Sequence, residues 1–286
     1  RASAAHNLLP LDIGFLRIIG AGSVLLPWGW WLMRSQRQQH GSAGSLFGLS
    51  PLPFRITALA GFFGSMLYAM LAYSGFFFAP AAHASVLMPG SLPLWTSLLA
   101  LVVLHEHITR ARAVGLVCIV LGDLLVGGVS LLKALEGGDV WKGDLMFMSA
   151  AFCWACYSVL VRKHSLDPVR ATIAITAFSC VSFVPVYGLA AWMGWIPSHL
   201  HTAPLSEMVF QTFYQGLGSV VISGITFNVM IRYFGPVRST MITALVPGLS
   251  ALGAVLFLNE PMSINLLGGL LLVTCGILFG VRKPKT

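Results

Sequence analysis

Charge is the scarcest property of this sequence. Of its 286 residues, 17 are Lys or Arg and 9 are Asp or Glu, so charged residues make up 9%. A soluble domain carries about 25%. So few charges cannot cover a solvated surface, which excludes an ordinary cytosolic enzyme. The 57% hydrophobic content excludes a disordered chain. Cysteine is sparse too. Cys118, Cys153, Cys156, Cys180 and Cys275 all lie in apolar runs and read as small core hydrophobes, which excludes a secreted disulfide scaffold. Cys153 and Cys156 form a C-x-x-C spacing, with no second pair or nearby His to complete a redox or metal site. The phosphate loop G-x-x-x-x-G-K-[ST] is missing, so the chain does not itself use ATP, and no cofactor is expected.

Long apolar stretches fill the space that charge leaves. Mean hydropathy is +0.83. A helix needs roughly 20 apolar residues to cross a bilayer. Such stretches occur at about 11–33, 54–78, 81–104, 111–132, 144–162, 171–193, 209–231, 237–258 and 264–281. The pattern predicts an all-α polytopic membrane protein with nine transmembrane helices. Ala79-Pro80 and Gly235-Pro236 mark sharp joints between neighbouring stretches. Residues 34–53, rich in Ser, Gly, Gln and Pro, read as a flexible cytoplasmic loop.

Lys and Arg set the orientation. With the C-terminus in the cytoplasm, thirteen basic residues face inward, from Arg34 and Arg37 through Arg162 and Lys163 to Arg282, Lys283 and Lys285. Only Arg1, Lys133 and Lys142 face outward, and Arg17 lies within a span. Shifting the span count by one in mid-chain would scramble this sorting. The same distribution accounts for the net charge of +8 without a nucleic-acid partner.

An internal repeat appears at an offset of 154 residues. Pro93 falls on Pro247, Glu106 on Glu260, Gly115 on Gly269 and Gly122 on Gly276. Residues 134–286 hold five spans and residues 1–133 hold four, so the expectation is two five-helix repeats, the first lacking its first helix. An odd number of spans per unit makes the units antiparallel. Inverted repeats are a transporter signature, because rocking one half against the other gives alternating access.

The chain resembles the EamA type of the drug/metabolite transporter superfamily. The resemblance rests on the Pro93–Glu106 and Pro247–Glu260 segments, on the G-x6-G after each, on P-L-D-I-G-F-L-R at Pro10–Arg17 and on Q-G-L-G-S at Gln215–Ser219. It covers essentially the whole chain. It implies ten helices in two five-helix repeats and a carrier in the inner membrane, with export the favoured direction.

Matched breaks point to the transport pathway. Pro89, Gly90 and Pro93 in one span correspond to Pro247 and Gly248 in another, and paired interruptions mark a midplane binding or gating region. Proline and glycine are also simply frequent in membrane helices. Asp123 lies about 18 Å from the inner end of its helix. Inside a membrane it is either a proton-coupling site or a structural hydrogen bond. Arg17 lies about 9 Å below the outer face. It snorkels outward, pairs with Asp123, or binds an anionic group. Asp12 reads as an interfacial helix-start residue.

Asn228 is deep in its span, and Gln211 and Gln215 share a face at i, i+4. Tyr68, His83, Trp95, Trp154 and Tyr157 are candidates for an aromatic cavity wall, with lipid contact or ordinary packing as the alternative. Trp28, Trp30, Trp31, Trp141, Trp192 and Trp195 sit at span ends as interfacial belts. His105-Glu106-His107 does not match H-E-x-x-H, and Glu106 and Glu260 read as carboxylates complementing helix N-termini rather than metal ligands. Gly276 and Gly280 form a small-xxx-small face for a partner helix or a second protomer. These features predict a membrane transporter of a small organic metabolite such as an amino acid or drug-like compound. The rivals are a non-transporting sensor or assembly subunit and an integral membrane enzyme.

Overall fold

Proline, glycine and aspartate punctuate the helices. Pro80 takes the cap position of one helix, so no backbone N–H is wasted there. Gly235 adopts φ 83°, which glycine tolerates, and Pro236 then opens the next helix. Asp167 caps another by accepting from the backbone N–H groups of Val169 (3.1 Å) and Arg170 (3.2 Å), with Pro168 in the first turn. The structure, a computed structural model, describes residues 8–40, 44–134, 138–249, 252–253 and 264–281.

The helices are α1 (Pro10–His40), α2 (Phe54–Gly75), α3 (Ala81–Val103), α4 (Arg110–Ala134), α5 (Val140–Lys163), α6 (Pro168–Trp192), α7 (Leu205–Phe234), α8 (Pro236–Thr243) and α9 (Ile264–Val281). Strands are absent among the described residues, apart from one isolated bridge between Ser45 and Ser50. Among the described residues, six helices are long and apolar enough to cross a membrane: α1, α2, α3, α5, α6 and α7. The chain is thus all-α, as its composition requires. Trp28, Trp30, Trp31, Trp141, Trp192 and Trp195 are exposed.

Two compact units form, and each draws on both halves of the sequence. The first spans residues 1–73 and 164–232 and holds α1, α2, α6 and most of α7. Within it, α1 packs on α7 and α2 packs on α6. Glycines permit both approaches. A Cβ on Gly216 of α7 would stand 2.7 Å from Gly20 Cα of α1, and one on Gly61 of α2 would collide with the Phe178 ring of α6. Phe62–Met66 of α2 and Thr212–Ile222 of α7 are π-helical. At the repeat offset of 154 residues, Phe62 corresponds to Gly216, so both widened turns fall at matched positions.

The second unit spans residues 74–163 and 233–286. Here α4 packs along α9, and α3 packs on α4, α5 and α8. The α4–α9 crossing is built on the repeat glycines. A Cβ on Gly115 would stand 2.5 Å from the Gly276 carbonyl oxygen, and one on Gly122 would stand 2.8 Å from that of Gly269. Gly115 corresponds to Gly269 and Gly122 to Gly276, so each glycine meets the counterpart of the other. A pair of equivalent surfaces related by a two-fold axis produces this reciprocal pattern. The Gly276 and Gly280 face, expected to take a partner helix or a second protomer, takes Gly115 and Met241 of its own chain.

Three local expectations need correction. Residues 34–40 continue α1 rather than opening a loop. The described end of that segment is tied down, with Ser45 Oγ donating to the Leu52 carbonyl at 2.7 Å and Ser50 Oγ bonded to Thr57 Oγ1 at 2.7 Å. The two proline breaks are unequal. Pro247 denies Thr243 its helical donor, and α8 ends at Thr243 before helical residues 246–249. By contrast α3 runs unbroken through Pro89, Gly90 and Pro93. Within it the Ser91, Thr96 and Ser97 hydroxyls donate to the carbonyls of Leu87, Leu92 and Pro93. Finally, α4 starts at Arg110, and Thr109 Oγ1 caps it by accepting from the Arg112 N–H at 3.3 Å. Glu106 lies too far ahead to cap and instead pairs with the Arg112 guanidinium at 3.3 Å. Glu260 lies outside the described residues.

Candidate functional site

In the first unit the site is built around Arg17. Gly14, one turn earlier on α1, leaves room for the Tyr73 ring, since a Cβ there would stand 3.1 Å from it. Arg17 Nη1 then donates to the Tyr73 hydroxyl at 3.4 Å. Tyr68, on the same helix as Tyr73, also acts electrostatically on the guanidinium. Of the readings open to Arg17, the hydrogen bond goes to a tyrosine and not to a carboxylate. Within this unit, no described Asp or Glu lies within ion-pair distance of it. The result is a cation inside an apolar span, flanked by two phenols.

Asn228 is fully buried and donates through Nδ2 to Thr172 Oγ1 at 3.0 Å, while Thr172 donates on to the Pro168 carbonyl at 2.8 Å. This chain ties α7 to α6. Gln215, in the π-helical stretch, is half-buried, and Gln211, in the α-helical turn before it, is fully buried, so the two amides are not presented alike. A wider turn changes the angle between residues four apart.

Asp12 is a hub that spacing does not reveal. It is completely buried at the start of α1. Its carboxylate accepts from Tyr187 Oη of α6, from Ser198 Oγ at 2.8 Å, from the His199 N–H at 3.0 Å and from the Leu9 N–H at 3.0 Å. The bond to Leu9 reaches back over the helix start, as an acid at the third helical position does in a capping box. The expectation of a helix-start residue holds, and the three contacts beyond α1 add to it.

In the second unit the aromatic candidates divide. Trp95 and Trp154 share one cluster with Leu92, Ala151 and Ala155. Trp95 also meets Phe152 edge-on at 5.4 Å between ring centroids. Tyr157 packs against Trp154 at 5.2 Å and is fully buried. His83 is buried at the start of α3, where its Nδ1 lies 2.8 Å from Asp144 Oδ1 of α5. Tyr68 belongs to the first unit. Asp144 stands at the edge of an apolar run in the sequence, but its pairing with a residue 61 positions earlier is not readable from spacing.

Asp123 is buried on α4. Its Oδ2 lies where a Cβ on Gly90 of α3 would come within 2.7 Å, so the missing side chain makes its place. Neither carboxylate oxygen has a hydrogen-bond partner among the described residues. Val86, Leu87, Ser91, Leu94 and Leu124 complete a pocket around it.

Comparison with known proteins adds a consistent picture. The EamA-like transporter family matches at residues 2–128 and again at 141–282. The chain is 24% identical over 241 residues to the uncharacterized transporter YyaM of Bacillus subtilis (strain 168), covering 80% of this chain and 74% of that protein. It is 26% identical over 225 residues to the uncharacterized transporter YoaV of the same organism, covering 76% and 70%. A solved structure titled only as the crystal structure of a protein aligns with a TM-score of 0.71 at 19% identity, covering 97% of this chain and 89% of that one, which speaks to fold alone.

Proposed function

The chain belongs to the EamA-like transporter family, as a multi-pass membrane transporter and not an enzyme, and from that premise we propose that it exports a small organic metabolite carrying an anionic group, such as an amino acid or a drug-like carboxylate. The observation that carries this reading is Arg17. A guanidinium within an apolar span is costly unless an anion completes it. Tyr73 supplies one neutral hydrogen bond, and a substrate carboxylate would supply the charge. Arg presents a planar fork suited to two-point recognition of such a group. Tyr68 and Tyr73 offer hydroxyls and ring faces to the rest of the ligand.

Alternating access is supported by the matched glycines of α4 and α9 and by the two family matches, which fall within the proposed repeats 1–133 and 134–286. The unequal prolines suggest unequal roles. The break before Pro247 and Gly248 is the hinge, while Pro89, Gly90 and Pro93 stiffen or shape an unbroken helix. The carrier works in the inner membrane with its C-terminus in the cytoplasm, as the sorting of Lys and Arg favours.

The test is metabolite release. The full-length gene is expressed in a bacterial host, and the medium is analysed by mass spectrometry against an empty vector. Accumulation of a carboxylate-bearing compound is expected, with at least a tenfold loss for Arg17→Gln at equal membrane expression. Transport that is unchanged by Arg17→Gln would refute the anion reading. No transport of any compound by the folded protein would favour a sensor or assembly subunit.

A further inference from the structure

The Asp123 pocket is unlike the Arg17 site in every chemical respect. It has a volume of about 280 Å³ and is lined almost wholly by aliphatic groups from α3, α4 and α5. Its one charged group is the Asp123 carboxyl, which is 2% exposed and has both oxygens without a hydrogen-bond partner among the described residues. Ser91 spends its proton on the Leu87 carbonyl at 2.6 Å, so it offers lone pairs and no donor. Pro93 has no N–H, which leaves the carbonyl of Pro89, the neighbour of Gly90, without its helical donor. The α3 backbone is bare at Gly90, where Asp123 Oδ2 lies. Acceptors gather here and donors do not.

A carboxyl in such surroundings is completed by a cation. The proton expected from the sequence is the smallest one. The pocket has room for more. Leu94 and Leu124 on its lining are exposed, so an apolar body reaches the carboxyl past aliphatic surface. We propose that the α3–α4–α5 pocket binds a hydrophobic ammonium ion, with the N–H groups on Asp123 and the apolar body against Val86, Leu87 and Leu94. The volume sits just under the range of drug-sized pockets, which suits a compact cage or single ring. Asp123 lies thirteen residues into α4 from Arg110, about 20 Å at the helical rise, too deep for a lipid headgroup amine. The proposal does not rest on the anion reading of Arg17.

The probe is 1-adamantylammonium, titrated calorimetrically into the full chain in phosphatidylcholine nanodiscs. 1-Adamantanol and adamantane-1-carboxylate serve as neutral and anionic comparators. Saturable one-to-one binding of the ammonium alone is expected. It should weaken at least tenfold in Asp123→Asn, which keeps the volume, and in Leu94→Trp, which fills the pocket and keeps the carboxyl. Arg17→Gln should bind as the parent does, whatever it does to transport. Equal binding by parent and Asp123→Asn, equal binding of the alcohol, or no saturable binding by folded protein would each overturn the proposal. So would loss of the probe in phosphatidylethanolamine nanodiscs, which would give the site to a lipid amine.

Discussion

Asp12 gathers four donors onto one buried carboxylate: Leu9 N–H, Tyr187 Oη, Ser198 Oγ and His199 N–H. It thereby fastens the start of α1 to the end of α6 and to the segment between α6 and α7. Removing the acceptor strands donors in a buried place, and a stranded donor costs roughly 1–3 kcal/mol. Asp12→Ala should therefore lower the thermal unfolding midpoint of the detergent-solubilised chain by several degrees, and Tyr187→Phe by less. An unchanged midpoint in Asp12→Ala would show the carboxylate to be idle. The sequence marks Asp12 only as an acid beside Pro10. Its other partners lie 175 to 187 positions away, and no local periodicity points to them. Arg17 and Asp123 are easier to find, because an ionisable residue within an apolar run announces itself by cost alone. What each one touches depends on which helices meet, and that is not written in either run.

At the level of elements, glycine decides which helices touch. The α4–α9 crossing places Gly115 on Gly276 and Gly122 on Gly269 with backbone atoms in direct contact. Membrane helices gain little hydrophobic drive by associating, so close packing of small residues carries the association. Gly115→Leu or Gly276→Leu would force the two backbones apart. Either should cut the yield of monodisperse protein severely and lower its unfolding midpoint. Gly188→Ala on α6 is the matched control, since a Cβ there meets nothing within 4 Å. It should be neutral or stabilising, because alanine is the better helix former by about 1 kcal/mol. A wild-type profile for Gly115→Leu would mean that the crossing is not needed for folding. These glycines are legible as repeat mates in the sequence itself, because a fixed offset survives there. The π turns of α2 and α7 are not. A widened turn leaves composition and hydropathy unchanged and only shifts the phase of the later turns.

At the scale of the whole molecule, the sorting of charge is the property most open to test. Thirteen basic residues lie on one side of the proposed membrane and three on the other. The sorting holds only if the spans alternate as read and the C-terminus is cytoplasmic. The inverted repeat makes the same demand by a different route. If residues 1–133 and 134–286 are antiparallel, then Arg110 and Arg112, at the start of α4, face the same side as Arg282 and Lys283, beyond the end of α9. A short loop of the opposite sign preference, such as that holding Asp139 and Lys142, must face the other side. Those two residues pair at 2.8 Å and nearly cancel, so the loop presents little net charge to hold it in the cytoplasm. A C-terminal green fluorescent protein fusion should therefore fluoresce, and a C-terminal alkaline phosphatase fusion should be inactive. Phosphatase inserted at Gly138 should be active. A fluorescent phosphatase-negative C-terminus with an inactive Gly138 insertion would break the alternation between α4 and α9. It would remove the antiparallel repeat on which the transport reading depends.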